Sequence, residues 1–521
     1  MGVAGASIGL GCGGEAVDPS FGDDTGGGGA AAPAGTTTGV TTGAGGAGEG
    51  AAPSGEGGFA MATGAGGAAS SGAGGAAGEP PTVTAVMSSA PPCPGRSTSY
   101  VALAAPAPTA WDWKLGGGAV PDTSNDAAPA VVFADAGSYQ AAVSVSNDAG
   151  SSPPYAFSID VPAPAVPSWQ SHAPDTAGFI GSDCGATSVG GKPAVAYWDF
   201  ANGDLKVALA KTASPAAPGD WVAYTLESAN NPGWLCSAAE LGGAMVIAHR
   251  ENANGDLRFA RALVAAPASP ADWQTHAVDT EGDLGGRSAI VVLNGEPWVS
   301  YYDYTKKQVK VAHAATGTPS AQTDWAKHGV AVATGSMGQY FTSMTSLGGK
   351  LAVSFEDQGT LKVAIAKVGA PKAPQDWSVH VVDAGPGVGM QSSIAALDGR
   401  LAVAYRDNLA PALKLARALV AAPTAAADWN TQKVVSGLAV IPNLLAVDGR
   451  LALSYATGQD KPLMLARAVV REPAALSDWS VVTVDAVGGY DCAVAKGATL
   501  VLAYQGGMKD LMVAEIDGAC W

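Results

Sequence analysis

Trp377-Ser-Val-His-Val-Val-Asp383, Ser392-Ser-Ile-Ala-Ala-Leu397, Leu401-Ala-Val-Ala-Tyr405-Arg-Asp407 and Leu413-Lys-Leu-Ala-Arg-Ala-Leu419 make up one unit of a pattern that fills the chain from residue 169 onward. Each run is short, rich in apolar or alternating residues, and bounded by Gly, Pro or Asp, which reads as four strands joined by tight turns. In the third run Leu401, Val403 and Tyr405 share one face and Ala402 and Ala404 the other, so the large face of one sheet can seat on the small face of a neighbour. The unit recurs: Trp169, Trp221, Trp273, Trp325, Trp377 and Trp429 stand 52 residues apart, and Trp479 follows after 50. A period of this length marks a repeat architecture, and four strands per unit mark a propeller blade. The predicted fold is all-β, a seven-bladed β-propeller of four-stranded antiparallel blades over 165–521, with repeats starting near 169, 221, 273, 325, 377, 429 and 479. The pattern begins on a Trp strand and ends at Leu511-Met-Val-Ala-Glu515 without one. Trp169 to Asp175 is therefore predicted to be the outermost strand of the last blade, pairing with 511–516.

Upstream the texture changes twice. Residues 13–80 are Gly/Ala-rich, and no Lys or Arg precedes Arg96, so this stretch has too little bulky apolar surface to offset backbone entropy and reads as a disordered linker. Between 81 and 164, Ser99-Tyr-Val-Ala-Leu103, Ala130-Val-Val-Phe133, Tyr139–Ser146 and Tyr155–Val161 read as strands of a β-sandwich. The chain of 521 residues carries 28 Lys+Arg against 45 Asp+Glu, a net charge of −17, which excludes a nucleic-acid partner. No apolar run is long enough for a membrane-spanning helix.

Three resemblances attach to particular residues. Met1–Cys12, a short apolar and small-residue stretch ending in Cys, resembles the end of a bacterial lipoprotein signal, which implies lipidation of Cys12 and export to the outer membrane or cell surface. Trp111-Asp112-Trp113, Pro129, Phe133, Gly137-Ser-Tyr139 and Val143-Ser-Val-Ser-Asn147-Asp-Ala-Gly150 resemble the PKD family of Ig-like domains, which implies a spacer without chemistry and a buried core Trp at 111 or 113. Tyr197-Trp-Asp199, Tyr301-Tyr-Asp303 and Tyr405-Arg-Asp407 after apolar strands, with Gly203-Asp-Leu-Lys-Val-Ala208, resemble non-enzymatic propellers of the bacterial sialidase superfamily over 169–521. The Asp-boxes of true sialidases are missing from every repeat. Arg250, Arg287 and Arg406 come from different blades, but Arg250 and Arg406 share one strand-end position, so no converging arginine clamp is read and no catalytic residue is assigned.

Function on a repeat scaffold is expected where the repeats disagree. The loop entering each innermost strand carries Ser182 and Asp183, Trp234, Arg287, Tyr340 and Phe341, Gln391, and Tyr490 and Asp491, exposed aromatics interleaved with polar groups as sugar binding requires. These are the candidate ligand-binding residues. His172, His276, His328 and His380 each follow a repeat Trp by three residues, which spaces them around the outer rim and argues for structure; no metal or cofactor is read. Asp199, Glu251, Asp303, Asp357 and Asp407 are expected to accept hydrogen bonds in the turns they begin. Cys184, Cys236 and Cys492 fall at the start of innermost strands of adjoining blades, and Cys184 could pair with Cys236 or with Cys492. The composite expectation is an exported, envelope-anchored binding or adhesion protein whose partner is a glycan or an envelope or extracellular protein, touching the membrane only through its lipid. The alternatives are a divergent glycoside hydrolase, sialidase-like in fold, and a structural envelope protein with protein partners only.

Overall fold

A computed structural model of the chain describes residues 78–89, 92–162, 169–334, 341–437, 439–458 and 460–516. Cys12, the segment 1–12 and nearly all of the linker 13–80 lie outside the described residues, as does Tyr340. Among the described residues no helix is long and apolar enough to cross a membrane.

The fold is all-β, built from repeated four-stranded antiparallel sheets, consistent with a propeller. The sheet Ile180–Val189, Lys192–Asp199, Asp204–Ala210, Trp221–Glu227 is typical: strands pair in sequence order, and the Trp strand closes the outer edge. Sheets of the same order start at Pro232, Ala289, Ser343 and Val388. Beyond Val440 the strands form one continuous path because Trp479–Lys496 runs unbroken for 18 residues from an outer to an inner position. The innermost strands touch in a closed circuit, with Trp479–Lys496 against Ile180–Val189. At the outer edge Trp169–Asp175 pairs antiparallel with Leu511–Ile516, Trp169 opposite Ile516 and Asp175 opposite Leu511, as the phase of the repeat predicted.

The alternation of large and small residues sets how the sheets stack. Leu401, Val403 and Tyr405 share a buried cluster with Leu361 and Val363 of the preceding sheet. Ala402 and Ala404 lie in the cluster of Leu451, Leu453 and Tyr455 from the next. Among the described residues six seams are capped by a buried Trp and another by half-buried Trp169; Trp325, for one, closes the cluster of Val246 and Phe259 with Val299 and Tyr301. Outer strands are also tied through the indoles. Trp221 Nε1 donates to His172 Nε2 at 2.7 Å, Trp325 to His276 at 2.9 Å and Trp377 to His328 at 3.0 Å, while Trp273 donates to Tyr224 Oη at 2.8 Å. The Asp before each Trp organises a 3-10 turn; Asp220 Oδ2 accepts from the backbone N–H of Ala216 and Ala217, and Asp272, Asp324, Asp376, Asp428 and Asp478 repeat the arrangement.

The strand-end acids divide. Asp199 accepts from Asn202 N–H, Asp303 from Lys306 and Asp407 from Ala410, in the turns they begin, and Glu251 accepts from the Asn254 side chain. Asp357 departs from this expectation: it accepts from Thr334 N–H and pairs with Lys362, while its neighbour Glu356 takes the turn N–H of Gly359.

Residues 78–162 form two sheets, one of Thr82–Ser88, Ser97–Ala105, Ala130–Phe133 and Ala119–Val120, the other around Ala110–Lys114, Gly137–Asn147 and Tyr155–Val161. They enclose a separate core in which Trp113 is fully buried and Trp111 half-buried. A seam joins this unit to the repeat: Arg96 pairs with Asp448 at 2.9 Å, and Arg450 donates to the Pro94 carbonyl.

The cysteines sit differently from the sequence expectation. Cys184 is bonded to Cys492, Cα atoms 5.6 Å apart, and Cys236 is a free buried thiol. The three do not share one strand position. Strand register aligns Cys492, opposite Ala503, with Gly185, opposite Ala196, and with Ser237, opposite Ala248. Cys184 and Cys236 are equivalent; Cys492 is one residue further on.

Candidate functional site

The innermost strands all begin at one end of the ring, and a short backbone device shapes that end. In Gly181-Ser182-Asp183, Gly233-Trp234-Leu235 and Gly389-Met390-Gln391 both the glycine and the third residue have positive φ, and the pairing register skips just beyond. The glycines are obligatory where the backbone crosses a neighbour: a Cβ on Gly233 or Gly389 would lie 2.8 Å from Leu205 Cα or Leu361 Cα. Ile441 and Tyr490 adopt the same left-handed conformation, which L side chains take only at a cost of order 1 kcal/mol or more. Strain repeated at one position of successive sheets marks this end as the specialised one.

Here one polar network crosses the ring. Gln391 Oε1 accepts from Ile441 N–H at 3.0 Å, the Ile441 carbonyl accepts from Asn443 Nδ2 at 3.3 Å, and Asn443 Nδ2 also donates to Asp491 Oδ2 at 2.9 Å. Ser454 donates to the same carboxylate oxygen. Arg287, 156 residues earlier in the chain, donates to Asn443 Oδ1 at 3.2 Å and lies over the Phe341 ring at 5.4 Å. Burial lowers the Arg287 pKa, opposed by the charges of Asp183 and Asp491. Burial pushes Asp491 up to about 6, with Ser454, Asn443 and Arg287 pulling the other way. Burial, and then Asp183, raise the Cys236 thiol. Two polar atoms of the network have no hydrogen-bond partner, Asp491 Oδ1 and Gln391 Nε2, on side chains 1% and 2% exposed. Asp491 stands where register places Cys184, Cys236 and Ser392 in other sheets, so a carboxylate replaces a thiol or hydroxyl.

Beside this network lies an aromatic ledge. Phe179 and Phe200, 55% and 47% exposed, are 6.4 Å apart between ring centroids. Phe200 meets Trp198 edge-on at 5.2 Å, and Trp198 is 6.4 Å from Trp234. The Arg250 guanidinium continues the row, 5.4 Å from the Trp234 ring and 5.5 Å from Tyr304, held by Asp283 at 2.6 Å. Trp198 Nε1 donates to Asn231 Oδ1; Trp234 Nε1 has no partner.

The candidate residues thus separate into two groups. Asp183, Arg287, Phe341 and Asp491 belong to the axial cluster with Gln391, and Trp234 belongs to the ledge. The expected exposure is corrected for Gln391, Tyr490 and Asp491, which are buried because the left-handed turn packs them among the inner strands, and for Phe341, which is buried beneath Arg287; Asp183, Trp234 and Arg287 are half-buried. Phe179, Phe200, Asn443 and Ser454 were missed. The first two carried a signal, exposed-type aromatics flanking the Gly181 turn and following Tyr197-Trp-Asp199; Asn443 and Ser454 carried none, since they gain a role only by facing Asp491.

The chain matches no family model and no curated protein. Solved structures similar to it include a prolyl endopeptidase (13% identity, TM-score 0.40, covering 66% of this chain and 47% of that one). Others are a Trypanosoma rangeli sialidase (10%, 0.34, 54% and 53%) and a subtype N10 neuraminidase-like protein of A/little yellow-shouldered bat/Guatemala (8%, 0.37, 68% and 97%). The chain spans about half the length of the first two.

Proposed function

We propose that this protein is an exported, non-catalytic glycan-binding protein. In this reading Cys12 carries a lipid anchor at the outer membrane or cell surface, 13–80 is a tether, and 81–164 is a PKD-like spacer. Residues 165–521 form a seven-bladed propeller of the sialidase-like, non-enzymatic kind that displays the binding face. The observation that carries it is the exposed Phe179–Phe200 pair, backed by buried Trp198 and half-buried Trp234, with Asp183 four residues after Phe179. Flat apolar rings stack on sugar faces while carboxylate, amide and guanidinium groups bond hydroxyls. One observation favours glycoside hydrolysis as a second reading: Asp491 is buried, lifted to about 6, and has one oxygen without a partner, features that suit a general acid.

The test is a glycan array probed with the full-length protein and with a Phe179→Ala/Phe200→Ala double variant, whose exposed side chains can be removed without opening a core. A specific hit lost in the variant is expected. Release of free sugar from the bound glycan, abolished by Asp491→Asn, would replace binding with hydrolysis. Binding to envelope proteins alone would leave a structural role.

A further inference from the structure

Resting on the glycan-binding reading, we propose that the axial cluster takes the uncharged, hydroxyl-bearing end of a glycan and rejects ends that carry a carboxylate. The charge balance is the first argument. Among the described residues, Arg287 is the cation that acts with Asp183 and Asp491 in the cluster, and its guanidinium already donates to Asn443 Oδ1. Two carboxylates against one guanidinium leave the cluster with a net negative charge whenever both are ionised, and Asp491, even lifted to about 6, is mostly ionised at neutral pH. A uronic or sialic acid end would therefore meet repulsion from two carboxylates, set against one guanidinium that already donates to Asn443.

The second argument is the pattern of unused hydrogen-bonding capacity. Asp491 Oδ2 is occupied by Ser454 and Asn443, leaving Oδ1 as a bare acceptor. Gln391 Oε1 is occupied by Ile441 N–H, leaving Nε2 as a bare donor. Both side chains are almost wholly buried and linked through Ile441 and Asn443 into one network. The hydroxyl of Ser288, at the Asp491 position of another sheet, and that of Ser182, two residues before that position in a third, are likewise buried without partners. Buried polar atoms are paired in native proteins as a rule, so each of these is hydrogen-bonding capacity that the folded chain leaves unmet. The network thus keeps one acceptor and one donor unused, two roles that a hydroxyl group can meet, whereas a carboxylate could satisfy only the donor.

The experiment compares matched tetrasaccharides that end in glucose or in glucuronic acid, titrated calorimetrically against the full-length protein at pH 7.5. The glucose-ended sugar is expected to bind roughly tenfold or more tightly than its acidic partner, the penalty of like charges at a desolvated site. Asp183→Asn and Asp491→Asn, each nearly isosteric and each checked for an unchanged melt, are expected to narrow that gap; should Asp491→Asn fail to fold, half-buried Asp183 alone supplies the comparison. Equal or tighter binding of the acidic sugar, or a gap that a folded charge-removing variant leaves unchanged, overturns the inference while glycan binding stands. Absence of binding to any glycan, on the array and here, overturns both.

Discussion

At the scale of single residues, the histidines three positions after each repeat Trp show why regular spacing argued for structure. His172, His276 and His328 each accept an indole N–H through Nε2, and Tyr224 fills the same position in another sheet with its hydroxyl, so the role is that of an acceptor, one that the Trp429 and Trp479 indoles go without. An imidazole that accepts at Nε2 is neutral, and burial holds all three below the ordinary histidine value of about 6.5, with Asp220, Asp324 and Asp376 partly offsetting it. As pH falls through about 6.5 the unfolded chain takes up these protons first, so the stability present above that pH is lost toward the folded-state pKa. Asp491 and Glu356, lifted to about 6 and about 7, slope the other way, because their folded forms keep protons that the unfolded chain has already released. The wild-type melt sums both effects, and a variant isolates one. His276→Gln, which retains an acceptor, should cost no more than about 1 kcal/mol at pH 7.5 and narrow its deficit as pH drops to 5. Thermal melts of both proteins across that range check this, and a constant difference would mean that His276 is not held neutral.

At the scale of elements, the outer strand Trp169–Asp175 is the unit that makes the repeat a closed object. It precedes the sheets in sequence yet is hydrogen-bonded to Leu511–Ile516, and Trp169 Nε1 reaches the Val484 carbonyl. His172 on this strand then receives Trp221, so the strand ties the last sheet to the first. Deleting 165–176 should expose the apolar edge of Leu511, Val513 and Ile516 and break unfolding into non-coincident steps. Intrinsic fluorescence and far-UV circular dichroism followed through a urea gradient read this directly, and a single coincident transition would show that the ring closes without it. The inner strands close differently, by near contact of backbones. A Cβ on Gly185 would lie 2.7 Å from Ser237 Cα, which is why the position equivalent to Cys492 carries no side chain there.

At the scale of the whole molecule, two devices join the ends of the repeat, the outer strand pairing and the Cys184–Cys492 disulfide across 308 residues. Loop-closure entropy gives such a long cross-link a nominal effect of ~5 kcal/mol, and the strand pairing, which already brings the ends together, lowers what remains. Cys184→Ser/Cys492→Ser should melt several degrees lower while remaining folded and reacting with one further thiol probe only on unfolding, at Cys236. Because Cys93 is disulfide-bonded as well, the double variant and not a reduced wild type isolates this bond, and an unchanged melting temperature in the variant would mean that the bond adds nothing to the paired strand. The two-sheet unit of 78–162 is held against this ring through Arg96–Asp448 and Arg450 rather than by a shared core.

The linear order of residues settled what depends on period. Trp at intervals of 52 and finally 50 residues, Asp before six of the seven, and large residues alternating with alanine were enough for strand number per unit, for sheet stacking and for the strand that closes the ring, because each follows from the geometry of a pleated chain. Asp183, Arg287, Gln391 and Asp491 were visible as positions where the repeats disagree. The burial of Gln391 and Asp491 was not, because it comes from a left-handed residue inserted at the start of their inner strands, which shifts register by one and draws side chains inward. The same shift decided that Cys184 meets Cys492 and leaves Cys236 unpaired, a choice that equal spacing left open. Asn443 and Ser454, and the row from Phe179 to Trp234, arise only when strands far apart in sequence face one another. Periodic neighbours are written along the chain, whereas contacts across the ring are created by its closure.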